Sequence, residues 1–237
     1  MGKELKRQLY INRKDFLLAL AISAGIGALL TGVLVCLGIF TGETENFPPL
    51  GGIGFYFGAG LYGLVMAVAC SGVHFNMALK MGAIRRRYLL ASAIIVWGTC
   101  FVLLLLGNLW SLAESGLAAL AGIRLEVVLY VRPHWAALAA LAVAITGGWM
   151  GALLMRFGKV GFWVIWALWM VLSLGGGQLA GLVGDSARTD PFARGARAVF
   201  AFFENLGLSA LWALAALALA ALAVSAWLLL HKAKVQE

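Results

Sequence analysis

The sequence predicts an all-α, polytopic membrane protein with six transmembrane helices. Six long apolar segments fill the chain, and none of them contains Asp, Glu, Lys or Arg. The hydrocarbon core of a bilayer takes about 20 helical residues to cross, so each segment is long enough to span it. The segments run over about 17–40, 51–71, 88–110, 135–155, 160–184 and 207–230.

The composition excludes a soluble domain of this size. Hydrophobic residues make up 63% of the chain and charged residues only 12%. Because lipid offers the backbone no hydrogen-bond partner, only helices and closed barrels cross a membrane. The runs are continuously apolar rather than alternating, which indicates helices. We therefore expect one transmembrane domain over 1–237.

The basic residues predict that both termini are cytoplasmic. With the N-terminus inside, 13 of the 18 Lys and Arg residues fall in cytoplasmic segments. Lys and Arg near span ends favour the cytoplasmic side. The net charge of +8 is thus explained by topology and by contact with membrane lipids, and we expect no nucleic-acid partner. The prolines (Pro48, Pro49, Pro133 and Pro191) all lie in the predicted outer connections.

Residues 3–14 precede the first span and place Leu5 and Leu9 opposite Lys and Arg. This pattern predicts a short amphipathic helix on the inner membrane surface, held by anionic lipids. An unstructured positive topology signal explains the same residues, and the pattern leaves both interpretations open.

The connection at 72–87 is too apolar for a simple turn and too basic for a span. We expect a helix whose apolar side suits docking to another protein, followed by Gly82 and three arginines. Positive-inside anchoring explains the arginines but not the segment before them. The candidate docking residues are Phe75, Leu79, Lys80, Met81, Gly82, Arg85, Arg86 and Arg87.

Two outer segments are unusual. Residues 111–134 form a long predicted connection, in which we expect Glu114, Glu126 and His134 to be solvated. Residues 191–205 follow a glycine-rich end of the fifth span and predict an outer amphipathic helix, with Asp190 as N-cap. Its apolar side includes Phe192, Phe200 and Phe203.

Chemistry-bearing motifs are not evident, so we expect no catalytic, cofactor-binding or metal site. No phosphate-binding loop with the required spacing is present. The cysteines (Cys36, Cys70 and Cys100) fall inside spans, where small apolar core residues are expected. Small-residue pairs at Gly54/Gly58, Gly147/Gly151 and Gly177/Gly181 suggest close helix crossings.

The architecture and the run from Phe75 to Tyr88 resemble the membrane subunit of an ABC transporter of the type-2 (exporter) permease family. The run FNMALKMGAIRRRY looks like the coupling helix and Met-Gly-x-x-Arg-Arg pattern of small bacterial permeases in that group. The resemblance implies a multi-pass protein of the bacterial cytoplasmic membrane.

The resemblance also implies partners. The segment at 73–87 is expected to sit in a cleft of a separate ABC ATPase subunit, which binds ATP and Mg. A second permease subunit, identical or homologous, completes the pathway. The outer helix, with Phe192, Phe200 and Phe203, is expected to act as an exit gate, although a helix lying on the lipid interface fits the same pattern.

Two rival functions remain open at the level of sequence. An ion-coupled carrier or channel needs polar groups at the membrane midplane, and the spans offer few. An intramembrane enzyme or an assembly factor needs ionisable residues that converge at one depth. Charge-free spans favour an apolar or amphipathic cargo for an exporter, but the sequence does not identify it.

The topology can be tested by labelling single cysteines in intact cells. Cysteines introduced as Thr44→Cys and Ala187→Cys should react with an impermeant reagent, because both lie in predicted outer connections. Ala83→Cys should react only after the membrane is opened. Labelling of Ala83→Cys from outside would contradict the predicted orientation.

Overall fold

The computed structural model describes residues 2–41, 47–184 and 208–231, without the side chains of 2–9, 11, 172, 174–184 and 208. These ranges are almost entirely α-helical. The helices are α1 (Gly2–Thr41), α2 (Leu50–Ser71), α3 (Val73–Lys80), α4 (Arg85–Leu120), α5 (Pro133–Phe157), α6 (Lys159–Gly184) and α7 (Leu208–His231).

Five helical stretches are long and apolar enough to cross a membrane, which confirms the prediction of a multi-helical membrane protein. The predicted fifth span coincides with α6, whose 26 residues include a shorter apolar stretch, Lys159–Val171. The five candidate spans are Asn12–Thr41, Leu50–Lys80, Arg85–Leu120, Pro133–Phe157 and Ser209–His231.

The N-terminal amphipathic helix is not a separate element. Residues 3–14 form the first turns of α1, which continues unbroken for 40 residues. No glycine or proline lies between Gly2 and Gly25, and Leu, Lys, Arg and Glu are strong helix formers. The prediction that residues 3–14 are helical is confirmed, the unstructured alternative was wrong, and the helix is continuous with the first span rather than separate from it.

The third predicted span also continues beyond its expected end at Trp110. Helix α4 runs for 36 residues to Leu120, which corresponds to about 54 Å at 1.5 Å per residue. Its last ten residues, SLAESGLAAL, are mostly helix formers, so the loss of apolar character did not end the helix. The connection between α4 and α5 is accordingly shorter than predicted, at 121–132.

The described residues divide into two compact units, one up to Gly151 and one from Ala152 onwards. In the first unit, α1, α2, α4 and most of α5 share an apolar core. Its centre consists of small and medium side chains, which allow the helices to approach closely. The central residues are Ala19, Ala59, Cys100, Leu103, Ala136 and Ala140.

Two of the predicted small-residue pairs are close helix crossings. A Cβ atom added at Gly147 would lie 2.5 Å from the Cβ of Ala67, and one at Gly151 would lie 2.7 Å from the carbonyl oxygen of Val68. On α2, a Cβ at Gly54 would lie 2.5 Å from Leu30 of α1. The surroundings of Gly177 and Gly181 lie outside the described side chains.

The second unit contains the end of α5 and the helices α6 and α7. Gly158, with φ of 55°, turns the chain so tightly that a Cβ at Gly161 would lie 2.5 Å from the carbonyl oxygen of Leu153. Helix α6 remains continuous through its glycine-rich end to Gly184. Trp163, Trp166 and Trp169 are exposed along one side of it.

Two adjacent glycines of α5 provide a matched test of this packing. Gly147→Ala should lower the unfolding free energy by about 1–3 kcal/mol, since the added methyl group overpacks the contact with α2. Gly148→Ala should be neutral or slightly stabilising, because its Cβ would lie an ordinary 3.5 Å from Ser71. Thermal unfolding in one detergent measures both variants, and equal stability would contradict the described crossing.

Candidate functional site

The predicted docking segment forms the helix α3, between α2 and α4. Its C-terminus is closed by two backbone hydrogen bonds, from Gly82 N to Leu79 O at 3.0 Å and from Ala83 N to Ala78 O at 2.9 Å. Gly82 has φ of 81°, the left-handed conformation that such a helix end requires. The glycine therefore ends α3 and redirects the chain into α4.

The exposed side of α3 is apolar and differs from the side that the sequence predicted. Val73, Met77 and Met81 follow one another at intervals of four residues, so they form a stripe along the helix. They are 65%, 57% and 63% exposed. The side chains of Ile84, Lys80, Arg86 and Arg87 are also exposed. We call these seven residues the docking face.

Phe75 lies on the opposite side of α3 from the position expected for it. Its side chain is fully buried, and its ring centre lies 5.8 Å from that of Tyr88. Leu79 and Arg85 are half-buried. The other predicted residues, Lys80, Met81, Arg86 and Arg87, are exposed as expected. Val73, Met77 and Ile84 were not predicted from the sequence. The spacing of four residues between Val73 and Met77 could have indicated the first two.

Tyr88 fastens α3 to the two neighbouring helices. Its ring packs against Phe75 of α3, and its hydroxyl group donates a 3.2 Å hydrogen bond to the carbonyl oxygen of Cys70 near the end of α2. Tyr88 itself belongs to the first turn of α4. One side chain therefore ties three helices together, so that α3 is braced rather than a free loop.

A second polar arrangement lies at the other end of the same helices. The side chain of Glu114 is 1% exposed and belongs to α4 rather than to a solvated loop. Its two carboxylate oxygens accept hydrogen bonds of 2.6 Å from the backbone N–H groups of Gly51 and Gly52. The expectation that Glu114 is solvated was wrong, whereas Glu126 is exposed.

This arrangement caps the N-terminus of α2. The residue before the helix is Pro49, which provides no side-chain cap, so the first N–H groups need an acceptor from elsewhere. A carboxylate is well suited, because the positive end of a helix dipole stabilises an anion. The cap comes from a residue 63 positions away in sequence.

The two glycines allow the carboxylate to reach the backbone. A Cβ atom at Gly51 would lie 2.8 Å from a Glu114 oxygen, and one at Gly52 would lie 2.7 Å from Ser111 Oγ. The hydroxyl groups of Thr31 and Ser111 are buried beside them without a hydrogen-bond partner in the described chain. We call Thr31, Gly51, Gly52, Ser111 and Glu114 the Glu114 cluster.

Asn108, about two turns before Glu114 on α4, holds the connection between α4 and α5 in place. Its Oδ1 accepts hydrogen bonds from the Tyr56 hydroxyl at 2.6 Å and from Val131 N at 2.8 Å. Its Nδ2 donates to Val131 O at 3.0 Å. The amide thus pairs with the backbone of Val131 as a neighbouring strand does, and it joins that segment to α2.

Other predicted features contribute less to a site. The outer helix predicted at 191–205, with Phe192, Phe200 and Phe203, lies outside the described residues. Within the described ranges, no cluster of three or more His, Cys, Asp or Glu side chains could hold a metal ion. Comparisons with protein-family models, with curated proteins and with solved structures found no match to this chain.

The cap can be tested by removing the carboxylate. Glu114→Ala should lower the unfolding free energy by about 3 kcal/mol, because two buried N–H groups lose a charged acceptor. Thermal unfolding in detergent measures the effect. Glu126→Ala removes an exposed glutamate and should change the stability by less than about 0.5 kcal/mol. Similar stabilities for the two variants would show that Glu114 does not cap α2.

Proposed function

We propose that this chain is the membrane permease subunit of an ATP-driven ABC exporter. The observation that carries the proposal is the docking face, an exposed apolar stripe on the short helix α3 together with exposed basic residues at its end and at the start of α4. An exposed apolar patch rimmed by polar residues is typical of a protein–protein contact. Its predicted position on the cytoplasmic side suits a soluble partner.

The partner is a separate ATPase subunit that binds ATP and Mg, while this chain performs no catalysis of its own. The methionines of the docking face are flexible and polarizable, which suits an apolar groove on that subunit. The arginines suit an acidic rim, because complementary charges steer and orient association. These features agree with the family resemblance of the run from Phe75 to Tyr88.

Tyr88 supplies a physical route from the ATPase to the spans. A force applied to α3 reaches α4 through the ring contact with Phe75, and it reaches α2 through the hydrogen bond to Cys70. Packed side chains transmit displacement because interiors have low compressibility. A movement of the docked ATPase therefore changes the arrangement of α2 and α4.

The cargo is apolar or amphipathic, and a second permease subunit completes its pathway. The candidate spans are dominated by apolar side chains, and the buried acid Glu114 already accepts two backbone hydrogen bonds. Several helices leave large apolar side chains uncovered, including Trp163, Trp166 and Trp169 of α6. Such surfaces suit contact with lipid or with a second subunit.

Glu114 favours one alternative, an ion-coupled carrier. A buried acid beside the unpartnered hydroxyl groups of Thr31 and Ser111 is the kind of residue that such carriers use. In that case a proton or sodium gradient drives transport, and ATP has no effect on it. The variant Glu114→Gln then abolishes the gradient-driven transport. In the exporter, the cargo moves only when the ATPase subunit and ATP are present.

The docking face should be tested on the complex with the ATPase subunit, co-expressed with this chain and purified in mild detergent. The double change Arg86→Glu and Arg87→Glu should weaken the complex about tenfold, because favourable charge contacts become repulsive. Met77→Asp should weaken it as well, since a charge then enters the apolar contact. Affinity and ATP hydrolysis by the reconstituted complex are the readouts.

Lys159→Glu is the matched control, because it reverses another exposed basic residue on the predicted cytoplasmic side. It should leave the affinity within about twofold. Correct insertion of each variant is checked with Ala83→Cys, since arginine changes also remove a topology signal. Unchanged affinity in correctly inserted Met77→Asp and arginine variants would exclude α3 as the docking element.

A further inference from the structure

A groove between α1 and α4 has no role in the proposed transport function. Its volume is about 610 Å³, within the range of roughly 300–1,000 Å³ that is usual for small-molecule sites. Phe16 and Leu17 form its α1 wall, and Ile94, Trp97 and Val102 are on its α4 wall. Most of its lining is apolar, so an aqueous solute is a poor occupant.

Only one end of the groove carries strong polar groups. Asn12 and Arg13 lie there, immediately before the apolar segment that begins at about residue 17. Arg13 and Lys14 are the last basic residues of α1, so this end lies where the headgroups of the bilayer are expected. An apolar body with a basic end at the interface matches the shape and polarity of a phospholipid.

We propose that this groove binds one anionic phospholipid of the inner leaflet. The first acyl positions lie along Phe16, Ile94 and Val102. The phosphate accepts hydrogen bonds from Arg13, and a hydroxyl group of the headgroup donates to Asn12. The site is independent of the proposed export function, because it uses neither the docking face nor the Glu114 cluster.

The polar end is suited to an anion rather than to a zwitterion. The guanidinium carbon of Arg13 lies 4.3 Å from the centre of the Tyr10 ring, and stacking on a ring leaves the N–H groups at the edge available for a phosphate. Asn12 is 8% exposed, and its Oδ1, a hydrogen-bond acceptor, has no partner in the described chain, so it suits a hydroxyl donor of the headgroup rather than the phosphate. Asp15, the nearest acid in sequence, is not part of the lining.

The apolar wall is preformed. The Trp97 ring is fixed by a 3.0 Å hydrogen bond from its Nε1 to the carbonyl oxygen of Ala137, and it stacks on Phe101 at 5.7 Å between ring centres. Gly98 keeps the groove open, since a Cβ there would meet nothing within 4 Å. A rigid wall and an open glycine reduce the entropic cost of holding an acyl chain.

The test measures binding of phosphatidylglycerol and phosphatidylcholine to the full chain in detergent, by titration followed by native mass spectrometry. Micelles are used because they lack the surface potential of an anionic bilayer. We expect one phosphatidylglycerol molecule per chain to bind more tightly than phosphatidylcholine. Arg13→Gln should weaken phosphatidylglycerol binding about fivefold, since a basic residue near anionic lipid contributes about 1 kcal/mol.

Each variant has a matched control. Lys14→Gln removes the same charge from the neighbouring residue, which does not line the groove, and should change the affinity by less than about twofold. Gly98→Leu fills the groove and should abolish retention of the lipid. Gly25→Leu adds the same side chain at an α1 position that is equally open but outside the groove, and should retain it.

Three results would overturn the proposal. Equal weakening by Arg13→Gln and Lys14→Gln indicates diffuse attraction rather than a site. Retention of the lipid by Gly98→Leu shows that no acyl chain occupies the groove. Equal affinity for the two lipids in the unmodified chain shows that the headgroup is not recognised. Thermal unfolding of every variant in the same detergent separates loss of binding from loss of folding.

Discussion

The hydrogen bonds between Glu114 and the first turn of α2 organise the described first unit. A buried carboxylate is strongly unfavourable unless its charge is compensated, and here both oxygens accept from backbone N–H groups at the positive end of a helix. The same bonds provide acceptors for the N–H groups at the start of α2, which lacks a side-chain cap. Each group therefore requires the other, and together they set the contact between α2 and α4.

Other residues of α4 also form hydrogen bonds with residues that are distant in sequence. Asn108 joins Tyr56 of α2 to the backbone of Val131, and Tyr88 reaches the carbonyl oxygen of Cys70 at the end of α2. In lipid, apolar contacts between helices have no hydrophobic driving force, so packing and hydrogen bonds decide which helices associate. Glycines such as Gly147 and Gly51 permit the close approach that these bonds need.

These hydrogen bonds give the proposed functions a common mechanical basis. The docking face lies on a helix that Tyr88 connects to α2 and α4, so binding on that face can reach these helices. The groove beside α1 lies between helices of the same unit, with its wall held by Trp97. A lipid in the proposed groove and an ATPase on the docking face would therefore act on one braced set of helices, α1 to α4, through different surfaces.

The sequence by itself determined the class of the protein, most span positions and the helical character of the segment after the second span. Hydrophobic runs of bilayer length and the glycine that follows α3 are local properties, and local properties are readable from one chain. Tertiary structure alone decided that Phe75 faces inwards and that Glu114 is buried. The reason is that burial depends on partners distant in sequence: the donors for Glu114 lie 63 and 62 residues away, and no pattern within α4 points to them.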